Sequence, residues 1–174
     1  EILSGLVGSE MCIRDSQTSV RFLSPDEIAR LQRFLLLGQY LSSKQSELLS
    51  WNTELAEAAQ EPANTRRVTN IGTFRAYVEL YLRQHRGINQ NMTLLVRQLQ
   101  PTADGLPLEL YCFTNTVAWA AYEGYQSDIF DHLLAILPEF GLRVFQHPSG
   151  ADMRELRPNL HAPKQAEGGT QLSS

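Results

Sequence analysis

An α+β fold is predicted for this 174-residue chain: ferredoxin-like, in the order β-α-β-β-α-β, with an extended helical first crossover. Three observations carry the prediction. Short apolar-alternating stretches fall at residues 19–23, 92–99, 106–114 and 142–146. Longer stretches between them repeat their apolar residues at helical spacing. The two central strands are joined by PTADG (101–105), which is turn chemistry and makes them a hairpin. This is the split βαβ order, and right-handed crossovers then put both helical layers on one face of a four-stranded antiparallel sheet.

The first sixteen residues, EILSGLVGSEMCIRDS, stand apart. They carry neither the basic start nor the long apolar run of a signal peptide. Composition changes abruptly at Gln17, and VGSEMCIRDS resembles the translation of a sequencing-library adapter. Residues 1–16 are therefore expected to be an artefact, with native sequence missing upstream.

The body then reads element by element. SVRFL (19–23) alternates, with Val20 and Phe22 on one side, and is expected to be the first strand. Ser24, Pro25 and Glu27 form a capping box with proline at the first helical position. Ile28, Leu31 and Leu35 begin an apolar stripe that Leu41, Leu48, Trp51 and Leu55 continue, with a break expected near Gly38. EAAQEPANTRR (57–67) is polar and contains proline, as a connection or exposed insertion would. Asn70 is the expected cap of the next helix, whose apolar face is Ile71, Phe74, Val78 and Tyr81. Arg75, Glu79 and Arg83 form a solvated ladder on it, and Gly87 ends it. After the hairpin, Asn115 or Thr116 starts a helix carrying Trp119, Tyr122, Ile129, Leu133, Ile136 and Phe140, closed by Pro138 and Gly141. LRVFQ (142–146) is the expected last strand. The Pro-, Gly-, Ser- and Gln-rich residues beyond it are expected to be a disordered tail, with 151–174 outside the domain.

Composition narrows the function. A hydrophobic content of 43% suits one domain with a real core. The formal net charge of −4 lacks the basic excess of a duplex-binding protein. Lysine occurs only at Lys44 and Lys164, and the preponderance of arginine hints at subunit contacts. Cys12 and Cys112 lie in unlike contexts, which argues against a disulfide framework or metal motif. The longest apolar run, FLLLG (34–38), is far short of the roughly 20 residues of a membrane helix, so the chain reads as soluble.

Strand alternation divides the sheet into unlike faces. One carries Val20, Phe22, Leu94, Val96, Leu108, Leu110, Cys112, Leu142 and Val144, and must lie under the helices. The other carries Arg21, Leu23, Leu95, Arg97, Leu99, Glu109, Tyr111, Phe113, Arg143 and Phe145. A mixed aromatic and arginine face of this kind usually meets protein. Its candidate oligomer or domain contacts are Arg97, Leu99, Glu109, Tyr111, Phe113, Arg143 and Phe145, with Arg97 and Glu109 opposite each other across the hairpin.

Catalytic readings are weak. Asp128 and His132 are four apart on one helix, with Asp131 beside them, as a metal pair or acid–base pair would be. Zinc needs three or four ligands, and no second cluster supplies them; His85, His147 and His161 are isolated. The expected alternative is a solvated helix face with a local Asp–His contact. Cys112 points to the apolar face as a core cysteine, and Trp119, Tyr122 and Tyr125 read as packing residues rather than a ligand cage. The common nucleotide and nucleophile motifs are missing, so no enzyme and no cofactor are expected. A free-standing ferredoxin-like binding module is the alternative, with RNA as a candidate ligand, since RNA-recognition motifs place aromatics on this open face. The chain lacks their signature sequence and is acidic, so nucleic acid is not the expected partner.

Several blocks, matching in order over roughly residues 17–152, point to a family. TNIGTFRAYVELYLRQH (69–85), MTLLVRQLQP (92–101), GLPLELYCFTNTVAW (105–119), YEGYQSDIFDHL (122–133) and EFGLRVFQHPSG (139–150) resemble the C-terminal cytoplasmic region of bacterial mechanosensitive channels of the small-conductance (MscS) family. Within it they are most similar to the miniconductance branch typified by the YbdG-like proteins, which SVRFL and the helix to SSKQSELLSWN (42–52) also fit. The resemblance implies that residues 17–150 are the cytoplasmic α/β domain of an inner-membrane channel. Such subunits form a ring, typically heptameric, around a vestibule through which ions and small solutes pass. The channel opens under membrane tension in hypo-osmotic shock. Its pore and membrane helices would lie N-terminal to this chain, so the family's gating residues have no matching positions here. The helical stretch before Thr69 and the polar connection look like an elaboration of the branch.

Overall fold

The computed structural model describes residues 8–146, with backbone only for residues 8–11. Its sheet has three strands in the order β1-β3-β2: β1 is Gly8–Asp15, β2 is Leu95–Gln98 and β3 is Leu106–Phe113. Both pairings are antiparallel. The helices are α1 (Pro25–Leu31), α2 (Gly38–Glu54), α3 (Asn70–Gln84) and α4 (Trp119–Ile136). The α+β class and the extended helical first crossover are as the sequence predicts.

The first strand is not where the alternation of SVRFL puts it. Residues 8–15 fill that place and pair with β3 along their whole length, from Gly8 opposite Phe113 to Asp15 opposite Leu106. The chain leaves the sheet at Ser16, makes a short 3₁₀ turn at Gln17–Ser19, and runs along the start of α3. There Phe22 makes a single bridge to Thr69, and the Leu23 N–H donates to the Val68 carbonyl at 2.9 Å. Val20 and Phe22 are therefore exposed, while Leu23, expected outside, is buried. Two neighbouring short strands cannot both occupy the place beside β3, and the longer ladder wins.

The expected last strand is reduced to one bridge, Asp15 to Val144. Its hydrogen bonds run partly through a side chain. Arg143 N–H donates to Asp15 Oδ1 (3.0 Å), and Ser16 N–H donates to the Arg143 carbonyl (2.7 Å). Phe145 N–H donates to the Arg14 carbonyl (3.0 Å). This short edge lies beside β1 and antiparallel to it, so the neighbour order matches the ferredoxin-like pattern with its fourth strand curtailed. The expected tail lies outside the described residues.

Local signals account for the helix ends. The Ser24 hydroxyl accepts from Glu27 N–H, and Glu27 Oε2 accepts from Ser24 N–H at 2.8 Å, closing the capping box. The break expected near Gly38 is a run of turns over residues 32–37. It buries Leu37 and leaves Leu35 95% exposed, so the stripe passes through Leu37 rather than Leu35. Thr69, not Asn70, caps α3: its hydroxyl accepts from Gly72 N–H. Asn70 is instead fully buried and staples the incoming segment. Its Oδ1 accepts from Arg21 N–H, and its Nδ2 donates to the Ser19 carbonyl at 2.8 Å. That satisfies a buried amide which would otherwise be costly. The last helix starts at Trp119, later than expected, because Thr114–Ala118 form a hydrogen-bonded turn instead.

The polar connection after α2 folds into two 3₁₀ turns, Ala56–Gln60 and Pro62–Asn64, that bury nothing. The Asn52 side chain clamps its far end, exchanging two 2.9 Å hydrogen bonds with the backbone of Arg66. The core lies between the sheet and α1–α4. Leu108, Leu110, Cys112, Val96 and Leu142 face it from the sheet side. Phe140 is its aromatic hub, with Phe74 and Tyr77 at ring separations of 5.2 and 5.4 Å.

Candidate functional site

The open face of the sheet is built by the alternation of β3. Glu109, Tyr111 and Phe113 point away from the helices while Leu108, Leu110 and Cys112 point into them. The hairpin register sets Leu95 opposite Tyr111 and Arg97 opposite Glu109, as the spacing predicts. Arg97 Nε donates to Glu109 Oε2 at 2.5 Å, and the Glu109 side chain is only 14% exposed. Tyr111 and Phe113 pack edge to face with centroids 5.3 Å apart. Leu95 is 42% exposed beside them. On the far side, β1 places the exposed Cys12 opposite Glu109.

The other predicted face residues diverge. Leu99 is half-buried at the turn end, its N–H donating to the Pro107 carbonyl. Phe145 sits at the same end against Gly105, whose φ of +101° and close neighbours leave no room for a side chain. Arg143 is exposed and acts through its backbone. Arg21 is drawn off the sheet into a forked bridge to Glu27. Arg97, Glu109, Tyr111 and Phe113 thus form one patch with Leu95, and Leu99, Arg143 and Phe145 lie toward its far corner.

The Asp128–His132 pattern resolves differently from the expected local contact. His132 Nε2 lies 2.7 Å from the Tyr77 hydroxyl on α3, and its ring stacks on Tyr81 at 4.4 Å. Tyr77 and Tyr81 on α3 and His85 at its C-terminal cap are four apart and face Tyr125, Asp128 and His132 on α4. Burial pushes both tyrosine hydroxyls up, and the Asp128 charge adds to this at Tyr81. Burial holds His85 below the usual imidazole range, against the opposing pull of Asp128. The α3 tyrosine–histidine series was legible in the spacing but uninterpretable without its partner helix. Trp119, expected to pack, is 68% exposed against Tyr122, while Tyr122 is buried. Tyr125 lines a cleft of about 450 Å³ together with Tyr81, His85, Arg86, Gly87 and Asp128.

A larger cleft, about 680 Å³, runs between residues 21–25 and α2. Phe22, Ile28, Leu48 and Leu49 line it, and the Arg67 guanidinium lies 3.8 Å over the Phe22 ring at its rim. Cys112 is buried, as a core cysteine should be, and burial pushes its thiol up to about 11. Among the described residues no three His, Cys, Asp or Glu side chains come together to hold a metal ion, and no helix is long and apolar enough to cross a membrane.

Comparison with known proteins places these elements. Residues 54–144, just over half of the chain, match the family model described as mechanosensitive ion channel MscS, C-terminal. The chain is also 32% identical over 71 residues to the low conductance mechanosensitive channel YnaI of Escherichia coli (strain K12), a stretch that covers 41% of this chain. That stretch is 21% of the relative's own length. The matched region takes in α3, the β2–β3 hairpin and α4, which carry both the open face and the α3–α4 cleft. The chain belongs to the MscS family of mechanosensitive ion channels, and residues 54–144 carry the family's C-terminal domain.

Proposed function

We propose that this chain is a vestibule-forming cytoplasmic domain of a channel that opens under membrane tension in hypo-osmotic shock. In the intact protein it sits on the cytoplasmic side of the bacterial inner membrane, carried by N-terminal helices that hold the pore. Subunits close into a ring of seven, through which ions and small solutes leave, and the domain takes no part in catalysis. The family match over residues 54–144 carries this reading. Two further observations support it. A 32% identity over 71 residues to a low conductance mechanosensitive channel, 21% of that relative's length, points the same way. The open face also presents Leu95, Tyr111 and Phe113 around a cross-strand ion pair, a mixture suited to protein contacts.

On this reading the open-face patch contacts a neighbouring subunit or domain. The α1–α2 crossover with its 3₁₀ connection is the elaboration of the miniconductance branch. Residues 1–16 are foreign to the natural protein, which the change of composition at Gln17 supports, and their Gly8–Asp15 stretch stands in the sheet where native residues belong. Resequencing the genomic DNA upstream of the Gln17 codon tests the whole reading. It is expected to continue in frame into several apolar helices. The intact gene, expressed in a channel-deficient host, is expected to give tension-activated currents in membrane patches. A start codon just before Val20, or no currents, would overturn the reading.

A further inference from the structure

The α3–α4 cleft has a chemistry that packing alone does not require. Two tyrosine rings and an imidazole line it: Tyr81 and His85 from α3, with centroids 5.8 Å apart, and Tyr125 from α4, 5.9 Å from His85. One acid, Asp128, and one base, Arg86, also line it. Among the described residues neither joins an ion pair, whereas the neighbouring Arg83 is held by Glu79 at 2.8 Å. His85 Nδ1 accepts from the Gly87 N–H at 3.1 Å, which holds the ring in its neutral form with the proton on Nε2. A neutral imidazole does not repel a cation. Gly87 is there because the Tyr125 ring lies on it: an added Cβ would stand 2.7 Å from the ring carbons.

Aromatic rings beside a carboxylate attract organic cations, and best those with a diffuse charge that need no hydrogen-bond acceptors. The unpaired arginine on the same cleft supplies the opposite charge. We infer that the α3–α4 cleft binds a small zwitterion bearing a methylated ammonium and a carboxylate, its cationic end against Tyr81, Tyr125 and Asp128 and its anionic end toward Arg86. The volume, about 450 Å³, is within the range of small-molecule sites and leaves room for water. The inference rests on the proposed channel function only for its meaning. On a vestibule wall such a site would register the concentration of a solute that the channel releases.

The experiment is calorimetric titration of the full 174-residue chain with trimethylglycine and, separately, with tetramethylammonium. Saturable binding of trimethylglycine is expected. Asp128→Asn and Tyr125→Leu should each weaken it tenfold or more, and Gly87→Ala should do the same by displacing the Tyr125 ring. Arg86→Gln should weaken trimethylglycine and leave tetramethylammonium unchanged, separating recognition of a zwitterion from that of a bare cation. Circular-dichroism melts control for folding, and the exposed Asp128 keeps the test decisive if Tyr125→Leu does not fold. An absence of saturable heat, or affinity that Asp128→Asn leaves untouched, overturns the site. Tension-activated currents from the intact protein are measured independently, so the site and the channel reading fail separately.

Discussion

The two faces of this sheet come from the same eight residues of β3 and have opposite characters. Leu108, Leu110 and Cys112 are buried under the helices, and Glu109, Tyr111 and Phe113 are half-buried on the other side. Burial on the first side arises within the chain. On the second side the cover is a T-shaped aromatic pair and an ion pair, and an exposed leucine remains. A strand's period of two puts successive side chains on opposite faces, so one strand can line a core and an open surface at once. The covered face answers to stability, and on the proposed reading the open face answers to partners.

The two cysteines give the sharpest test, because each reports one face. Cys12 is exposed and Cys112 is buried with its thiol pushed up to about 11. A thiol reagent at pH 8 should label Cys12 promptly and Cys112 only through unfolding, slower by on the order of 10³-fold or more. Equal labelling rates, read by mass spectrometry of the peptides, would break the distinction between the faces.

Truncation on the covered side should follow. Leu110 is fully buried, so Leu110→Ala should destabilise the domain by about 2–5 kcal/mol in urea unfolding. Phe113→Glu, on the other face, should lose about 1 kcal/mol with the aromatic pair. On the proposed reading it should weaken assembly of the intact protein far more. Sedimentation showing an unchanged oligomer alongside a large loss of stability would reverse the roles of the faces.

Two smaller effects calibrate the comparison. Glu27 lies away from the open face, in the α1 capping box, where the Arg21 guanidinium holds its carboxyl down at about 2. Its folded value is depressed, so its contribution is complete above the ordinary carboxylate range and is lost as pH falls toward about 2. Glu27→Ala should therefore cost about 1 kcal/mol at neutral pH and flatten the acid limb of the stability curve. Smallest of all is the Arg97–Glu109 pair. The Arg97 side chain is 55% exposed, so a double-mutant cycle should return about 0.5 kcal/mol or less. A larger coupling would mean that the open face is already organised in the isolated chain.

What the sequence determined by itself was local. The Ser24 box, the interruption before Gly38, the PTADG turn and the opposition of Arg97 and Glu109 each depend on residues close together along the chain or joined by a tight turn. Such features are legible because capping, turn geometry and hairpin register are short-range. Tertiary structure decided the rest. Which stretch lies beside β3 is a competition between segments: Cys12, Ile13, Arg14 and Asp15 do not alternate in polarity as SVRFL does, and their alternating exposure arises only in the paired strand, where Asp15 is buried. Asn70 reads as a cap until the segment it staples is in place, and the stripe through α1 and α2 shifts from Leu35 to Leu37 only when the turn between them folds. The α3–α4 cleft is the extreme case. Tyr81 and Tyr125 are far apart along the chain, and only the packing of one helix against another brings their rings to either side of His85.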